Sequence, residues 1–108
     1  VNWFRKGADG KFLWPGYGEN VRVLKWICER IAGTGKAQKT AIGNLPTPDA
    51  LDLSGLDLSP DAVKALTSVD EEGWKNEIDD VAANYAKFGS RLPAALTEQL
   101  DELRRRLA

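Results

Sequence analysis

Three stretches of this chain place apolar residues at a helical period. Leu24, Ile27, Cys28 and Ile31 fall at i, i+3, i+4 and i+7 in a run that opens near Glu19, with Gly33 behind it as a C-terminal cap. Trp74, Ile78, Val81, Tyr85 and Phe88 form a longer stripe between Asp70 and Gly89. Leu96, Leu100, Leu103 and Leu107 form a third behind Pro93, and the arginines at 104–106 suit the negative end of that helix. The last two stripes are expected to face each other or a common sheet. A shorter helix is expected from Ser59-Pro60-Asp61, serine as N-cap and proline at the first helical position, to about Ser68.

Elsewhere the pattern changes. "VNWFRK" and "KFLW" read as strands and "GADG" as the turn between them, a short hairpin over residues 1–14. "PGYG" then breaks regular structure. Residues 34–59 are rich in loop signals, with Pro46, Pro48 and the two-copy echo "LDLSGLDLS", and "TAIGNL" offers one short strand. The expected fold is mostly α with a small N-terminal β-hairpin, an α+β arrangement. Residues 1–32 carry the hairpin, the Pro-Gly loop and the first helix, 33–59 are a loop-rich connector, and 60–108 are C-terminal helices, all in one structural unit.

Composition narrows the chemistry. The 108 residues carry 15 Lys and Arg against 16 Asp and Glu, so net charge favours neither nucleic acid nor a membrane surface. Residues 1–40 hold eight of the basic residues but only three acidic ones, along with six of the nine aromatics. An anionic ligand with a flat ring is better received there than elsewhere, although a solvated basic face explains the charge equally well. Histidine is absent, which removes His-based catalysis and most zinc chemistry. A single cysteine, Cys28, excludes an internal disulfide; on its apolar stripe it reads as a buried small hydrophobe. No apolar run reaches the roughly 20 residues of a membrane helix, and a cytoplasmic setting is expected. The chain starts inside a strand-like run and contains no methionine, so it reads as a piece of a longer protein.

Two motifs invite chemistry and are better explained without it. "GTGKAQKT" at 33–40 imitates a phosphate-binding loop, but Arg30 stands where the first glycine belongs, Ala37 replaces the Ser or Thr, and a helix precedes it instead of a strand. It reads as a helix exit. The carboxylates at Asp70, Glu71, Glu72, Asp79 and Asp80 lie at a helix start and along a helix flank, where dipole complementarity and solubility account for them.

"GKFLWPGYGEN", residues 10–20, sets Phe12, Trp14 and Tyr17 on backbone too irregular for them to share one face. Either these rings are a satellite core under a loop or they form a slot for a planar base with Asn20 at its floor. Stacking gains about 1–3 kcal/mol whatever the base, so selection has to come from the edge, where an Asn side chain can match the donors and acceptors of one purine.

The run "VNWFRKGADGKFLWPGYGENVRVLKW", with "VNWFR", "FLWPG" and "GEN" inside it, closely resembles the guanine-binding segment of the GTP-dependent phosphoenolpyruvate carboxykinases. The resemblance is strongest over residues 1–32 and continues more loosely through "IGNLP", "LDLSGLD" and the final helices. It implies that Phe12 and Tyr17 stack on or flank the base, that Phe4 lines the pocket and that Asn20 reads guanine. Tyr17 stands where phenylalanine is more usual, and its hydroxyl needs water or a partner. The implied activity converts oxaloacetate and GTP to phosphoenolpyruvate, carbon dioxide and GDP in gluconeogenesis, with a divalent metal, manganese or magnesium. The family's phosphate loop, metal ligands, oxaloacetate-binding arginines and mobile lid lie before the start of this chain. The expectation is therefore a C-terminal portion that recognises the guanine nucleotide and is inactive alone, with no catalytic residues and no metal ligands of its own. Its implied partners are the nucleotide and the remaining N-terminal and catalytic parts of the same enzyme, with no nucleic acid and no membrane. Two other classes stay open on the residues themselves: a module for single-stranded nucleic acid, and a structural cap without nucleotide preference.

Overall fold

A computed structural model of the chain describes residues 2–108; Val1, first in the expected opening strand, lies outside the described residues. Helices dominate: α1 (Asn20–Ile31), α2 (Pro60–Thr67), α3 (Glu71–Ala86) and α4 (Ala94–Leu107). One two-stranded ribbon pairs β1 (Ala37–Thr40) with β2 (Gly43–Pro46). The chain divides into two compact units, Val1–Lys39 with Asn44–Ser68 and Thr40–Gly43 with Val69–Ala108.

In the first unit the opening hairpin is minimal. A single antiparallel bridge joins Lys6 to Phe12, flanked by bonds from Gly7 N to Lys11 O (2.9 Å) and from Leu13 N to Arg5 O (2.8 Å). The regular ribbon lies later, where "TAIGNL" forms the reversal and one strand instead of a single strand. Neither Ala41 nor Ile42 takes a positive φ, and Gly43 at φ 126° supplies the geometry the tight reversal needs. Ser59 caps α2 by accepting from Ala62 N at 3.1 Å, with Pro60 in the first turn as expected.

α1 runs where expected but turns a different face inward. Leu24 (55% exposed), Ile27 and Ile31 (84%) lie open, whereas Glu19, Arg22, Val23, Trp26 and Glu29 form the half-buried or buried side. Polar anchors set this orientation: Trp26 Nε1 donates to Lys36 O (2.7 Å), Arg22 Nη1 to Asp52 O (2.7 Å), and Lys25 pairs with Asp52 (3.2 Å). The expectation for Cys28 fails for the same reason. Its thiol is free and exposed because the stripe that carries it is uncovered.

The second unit matches the periodicity closely. Asp70 caps α3 through Gly73 N (3.0 Å), and Pro93 stands at the start of α4. Ile78, Leu100 and Leu107 are buried together, with Trp74, Val81, Tyr85 and Leu103 packed around them, so the two stripes meet each other. Ala41 joins the same cluster, and its carbonyl accepts from Arg106 Nε at 2.7 Å. Only the far ends of the stripes, Phe88 and Leu96, stay exposed.

Candidate functional site

The turn over residues 7–10 folds the two halves of the opening segment together. Asp9 Oδ1 accepts from Lys11 N at 3.0 Å and Gly10 N donates to Gly7 O at 3.0 Å, which brings residues 3 and 4 opposite 12 and 14. Two aromatic pairs result. Phe4 and Phe12 meet edge to face with centroids 5.9 Å apart, and Trp3 meets Trp14 at 6.0 Å and 44°. Lys6 Nζ lies 5.6 Å from the centre of the Phe12 ring, within cation–π range.

Pro15 and Gly16 then reverse the chain. Gly16 sits at φ 132°, ψ −178°, a region open essentially only to glycine, and the 3-10 turn Tyr17–Glu19 leads straight into α1. Asn20, at the start of α1, looks back at the loop, and its Oδ1 accepts from Trp14 Nε1 at 2.8 Å.

These elements enclose an open cavity of about 500 Å³. All four residues singled out from the sequence line it: Phe4, Phe12, Tyr17 and Asn20. Trp3, Trp14, Pro15 and Gly16 complete the wall. The volume falls inside the roughly 300–1,000 Å³ typical of small-molecule sites, and the wall is mainly apolar with one amide, the composition such sites share. Trp14 is buried (6% exposed), whereas Phe4, Phe12 and Tyr17 are 71%, 57% and 91% exposed. The satellite-core explanation therefore describes Trp14 and not the other three rings. Sequence reasoning missed Trp3; its place in the first strand-like run, across the turn from Trp14, was the available signal.

The phosphate-loop imitation is closed by its own bonds. Gly33 N donates to Arg30 O (3.1 Å), and Thr34 N and Gly35 N both donate to Glu29 O (2.9 and 3.0 Å). Lys36 Nζ is taken by Asp49 at 2.6 Å. The donors that would cradle a phosphate end the helix instead. Three of the eight early cations form ion pairs within the chain, Arg22 with Glu19 and Asp52, Lys25 with Glu29 and Asp52, and Lys36 with Asp49, so part of the basic bias is internal pairing.

Asp49 and Asp52 are held at about 2, below the ordinary 3.8, the first by bonds from Lys36 and Thr47, the second by the Ser54 hydroxyl and amide and by Lys25. Among the described residues no three Asp, Glu or Cys side chains gather where they could hold a metal ion. None of the described helices is long and apolar enough to cross a membrane.

A family model described as phosphoenolpyruvate carboxykinase C-terminal P-loop domain matches residues 1–106. The phosphoenolpyruvate carboxykinase (GTP) of Treponema pallidum (strain Nichols) is 55% identical over 108 residues, covering 99% of this chain and 18% of that protein. The proteins of the same name from Arthrobacter sp. (strain FB24) and Neocallimastix frontalis are each 52% identical over 108 residues, covering 100% and 99% of this chain. The chain spans 18% of the length of these curated relatives.

Proposed function

Because this chain belongs to the phosphoenolpyruvate carboxykinase C-terminal P-loop domain family, we propose that its aromatic cavity takes the guanine base of GTP. The whole protein, on this reading, converts oxaloacetate and GTP to phosphoenolpyruvate, carbon dioxide and GDP in the cytoplasm. The observation that carries it is the convergence of Phe4, Phe12, Tyr17 and Asn20 on one cavity. Phe12 and Tyr17 hold the faces of the base, Phe4 closes the wall, and Asn20 meets the edge. Stacking supplies about 1–3 kcal/mol without regard to identity. Anchoring the base fixes where the phosphates can lie, which is this segment's contribution to a transfer carried out elsewhere in the protein. Phosphoryl transfer, decarboxylation and the divalent metal belong to the rest of the enzyme, and the 108 residues alone are inactive. A single-stranded nucleic acid is a poorer fit, since it needs stacking platforms in succession and the exposed rings of the opening segment, Phe4, Phe12 and Tyr17, surround one cavity.

Titration of the chain with GDP and, separately, ADP, followed by tryptophan fluorescence and amide NMR shifts, tests the pocket. GDP-selective shifts centred on Phe12, Tyr17 and Asn20 are expected; equal responses to both nucleotides, or shifts centred elsewhere, contradict it. In the full-length enzyme, Asn20→Ala is expected to raise the KM for GTP more than that for oxaloacetate, because the lost contact touches only the base. Equal changes count against the assignment. Phosphoenolpyruvate formation by the 108-residue chain alone would refute its proposed inactivity.

A further inference from the structure

The bond beneath the cavity decides more than the position of a side chain. Trp14 Nε1 donates to Asn20 Oδ1 at 2.8 Å, and an indole nitrogen can only donate. Of the two ends of the Asn20 carboxamide, similar in shape and opposite in polarity, only the oxygen can face it. Trp14 is 6% exposed and stands against the Trp3 ring, so this donor cannot turn to water, and leaving it unpaired is costly. The other end of the amide, with two N–H donors, has no partner among the described residues, and Asn20 lines the cavity.

We propose that Trp14 is a positioning residue that fixes the Asn20 amide with its N–H groups toward the bound base, selecting a 6-oxo purine over a 6-amino purine. The inference rests on the base-binding reading above. A 6-oxo group accepts a hydrogen bond from Nδ2. A 6-amino group in the same place sets donor against donor and leaves both unsatisfied. Without the indole N–H the amide is free to turn over and offer its oxygen to a 6-amino group, so affinity from stacking persists while the choice between bases erodes. The aromatic rings hold a base; the Trp14–Asn20 pair decides which.

The test uses the full-length enzyme with GTP and ATP as nucleotides and three variants. Trp14→Phe keeps a ring and removes the donor; it is expected to narrow the GTP-over-ATP ratio of kcat/KM about tenfold, with KM for oxaloacetate unchanged. Asn20→Asp keeps an oxygen for the indole and turns the cavity-facing end into an acceptor, so it is expected to narrow the ratio further, toward ATP. A Trp14→Phe enzyme that loses both nucleotides equally, with the ratio intact, overturns the proposal in favour of simple packing. Should Trp14→Phe fail to fold, Asn20→Asp decides, and a retained GTP preference there overturns it. Asn20→Ala separates the two levels of the argument. If it weakens GTP while Trp14→Phe leaves the ratio unmoved, the base reading stands and the role of Trp14 falls; if it leaves GTP unaffected, both fall.

Discussion

The opening loop and the α3–α4 pair are both rich in large apolar side chains, and they dispose of them in opposite ways. Ile78, Leu100 and Leu107 are removed from water by each other. Phe4, Phe12 and Tyr17 stay more than half exposed, on backbone held by one bridge, a Pro-Gly reversal and the Trp14–Asn20 bond. Each exposed ring forgoes roughly 25 cal/mol for every Å² it could have buried. That apolar surface remains available to a ligand. What separates the regions is therefore how the side chains are held: packing fixes the helices, whereas polar bonds and turn geometry fix the rings and leave their faces free.

The sharpest way to break this comparison is to truncate one residue from each region. Leu100→Ala is expected to destabilise the chain by about 2–5 kcal/mol in urea denaturation, through lost burial and a residual cavity. It should leave the preference for GDP over ADP intact. Phe12→Ala is expected to do the reverse, costing about 1–3 kcal/mol of nucleotide affinity with a stability change near zero. If Phe12→Ala unfolds the chain as readily as Leu100→Ala, the loop is core and the contrast disappears.

Next in size is the hinge of the loop. Gly16→Ala places a Cβ on backbone at φ 132°, which costs on the order of 1–3 kcal/mol. The added Cβ meets no neighbouring atom, so the cost is backbone strain, and relaxing it shifts the reversal that sets Pro15 and Tyr17 against the cavity. Weaker GDP binding at nearly unchanged helix content, read by calorimetry and circular dichroism, is the expected result. Unchanged binding would show that the reversal does not set the site.

Legibility in the sequence follows the same division. The α3 and α4 stripes were readable because helical period and burial coincide there, and the caps at Ser59 and Asp70 announce themselves chemically. The cavity residues were readable too, but through motif resemblance, since no periodicity marks an exposed ring on a loop. The orientation of α1 is not legible from its stripe, since Leu24, Ile27 and Ile31 lie exposed. Its apolar stripe is regular, yet Trp26, Arg22 and Lys25 tie the neighbouring face to the following loop, and a count of apolar positions cannot register a tryptophan N–H finding a carbonyl. Only one strand of the β1–β2 ribbon shows in the sequence, because "AQKT" alternates weakly and the reversal depends on Gly43. The Trp14–Asn20 bond, which joins residues six apart through a turn, had no sequence signal at all.

The smallest effect concerns the loop that those cations hold. Asp49 and Asp52, lowered to about 2 from 3.8, bind protons more weakly folded than unfolded. Their contribution is therefore complete above the ordinary carboxylate value and is lost as pH falls through about 2. Lys36 is shifted upward by the same partner, Asp49, so its share persists to the alkaline side of 10.5 before it fades. The pair is intact across the whole physiological range, and neither carboxylate can act as a switch there. Both groups are exposed, which keeps the energy small, so the readout is local: the amide signals of Ser54 and Thr47 are expected to titrate with midpoints near 2. Midpoints near 3.8 would mean that the bonds from Ser54 and Lys25 to Asp52, and from Lys36 and Thr47 to Asp49, do not hold the loop in solution.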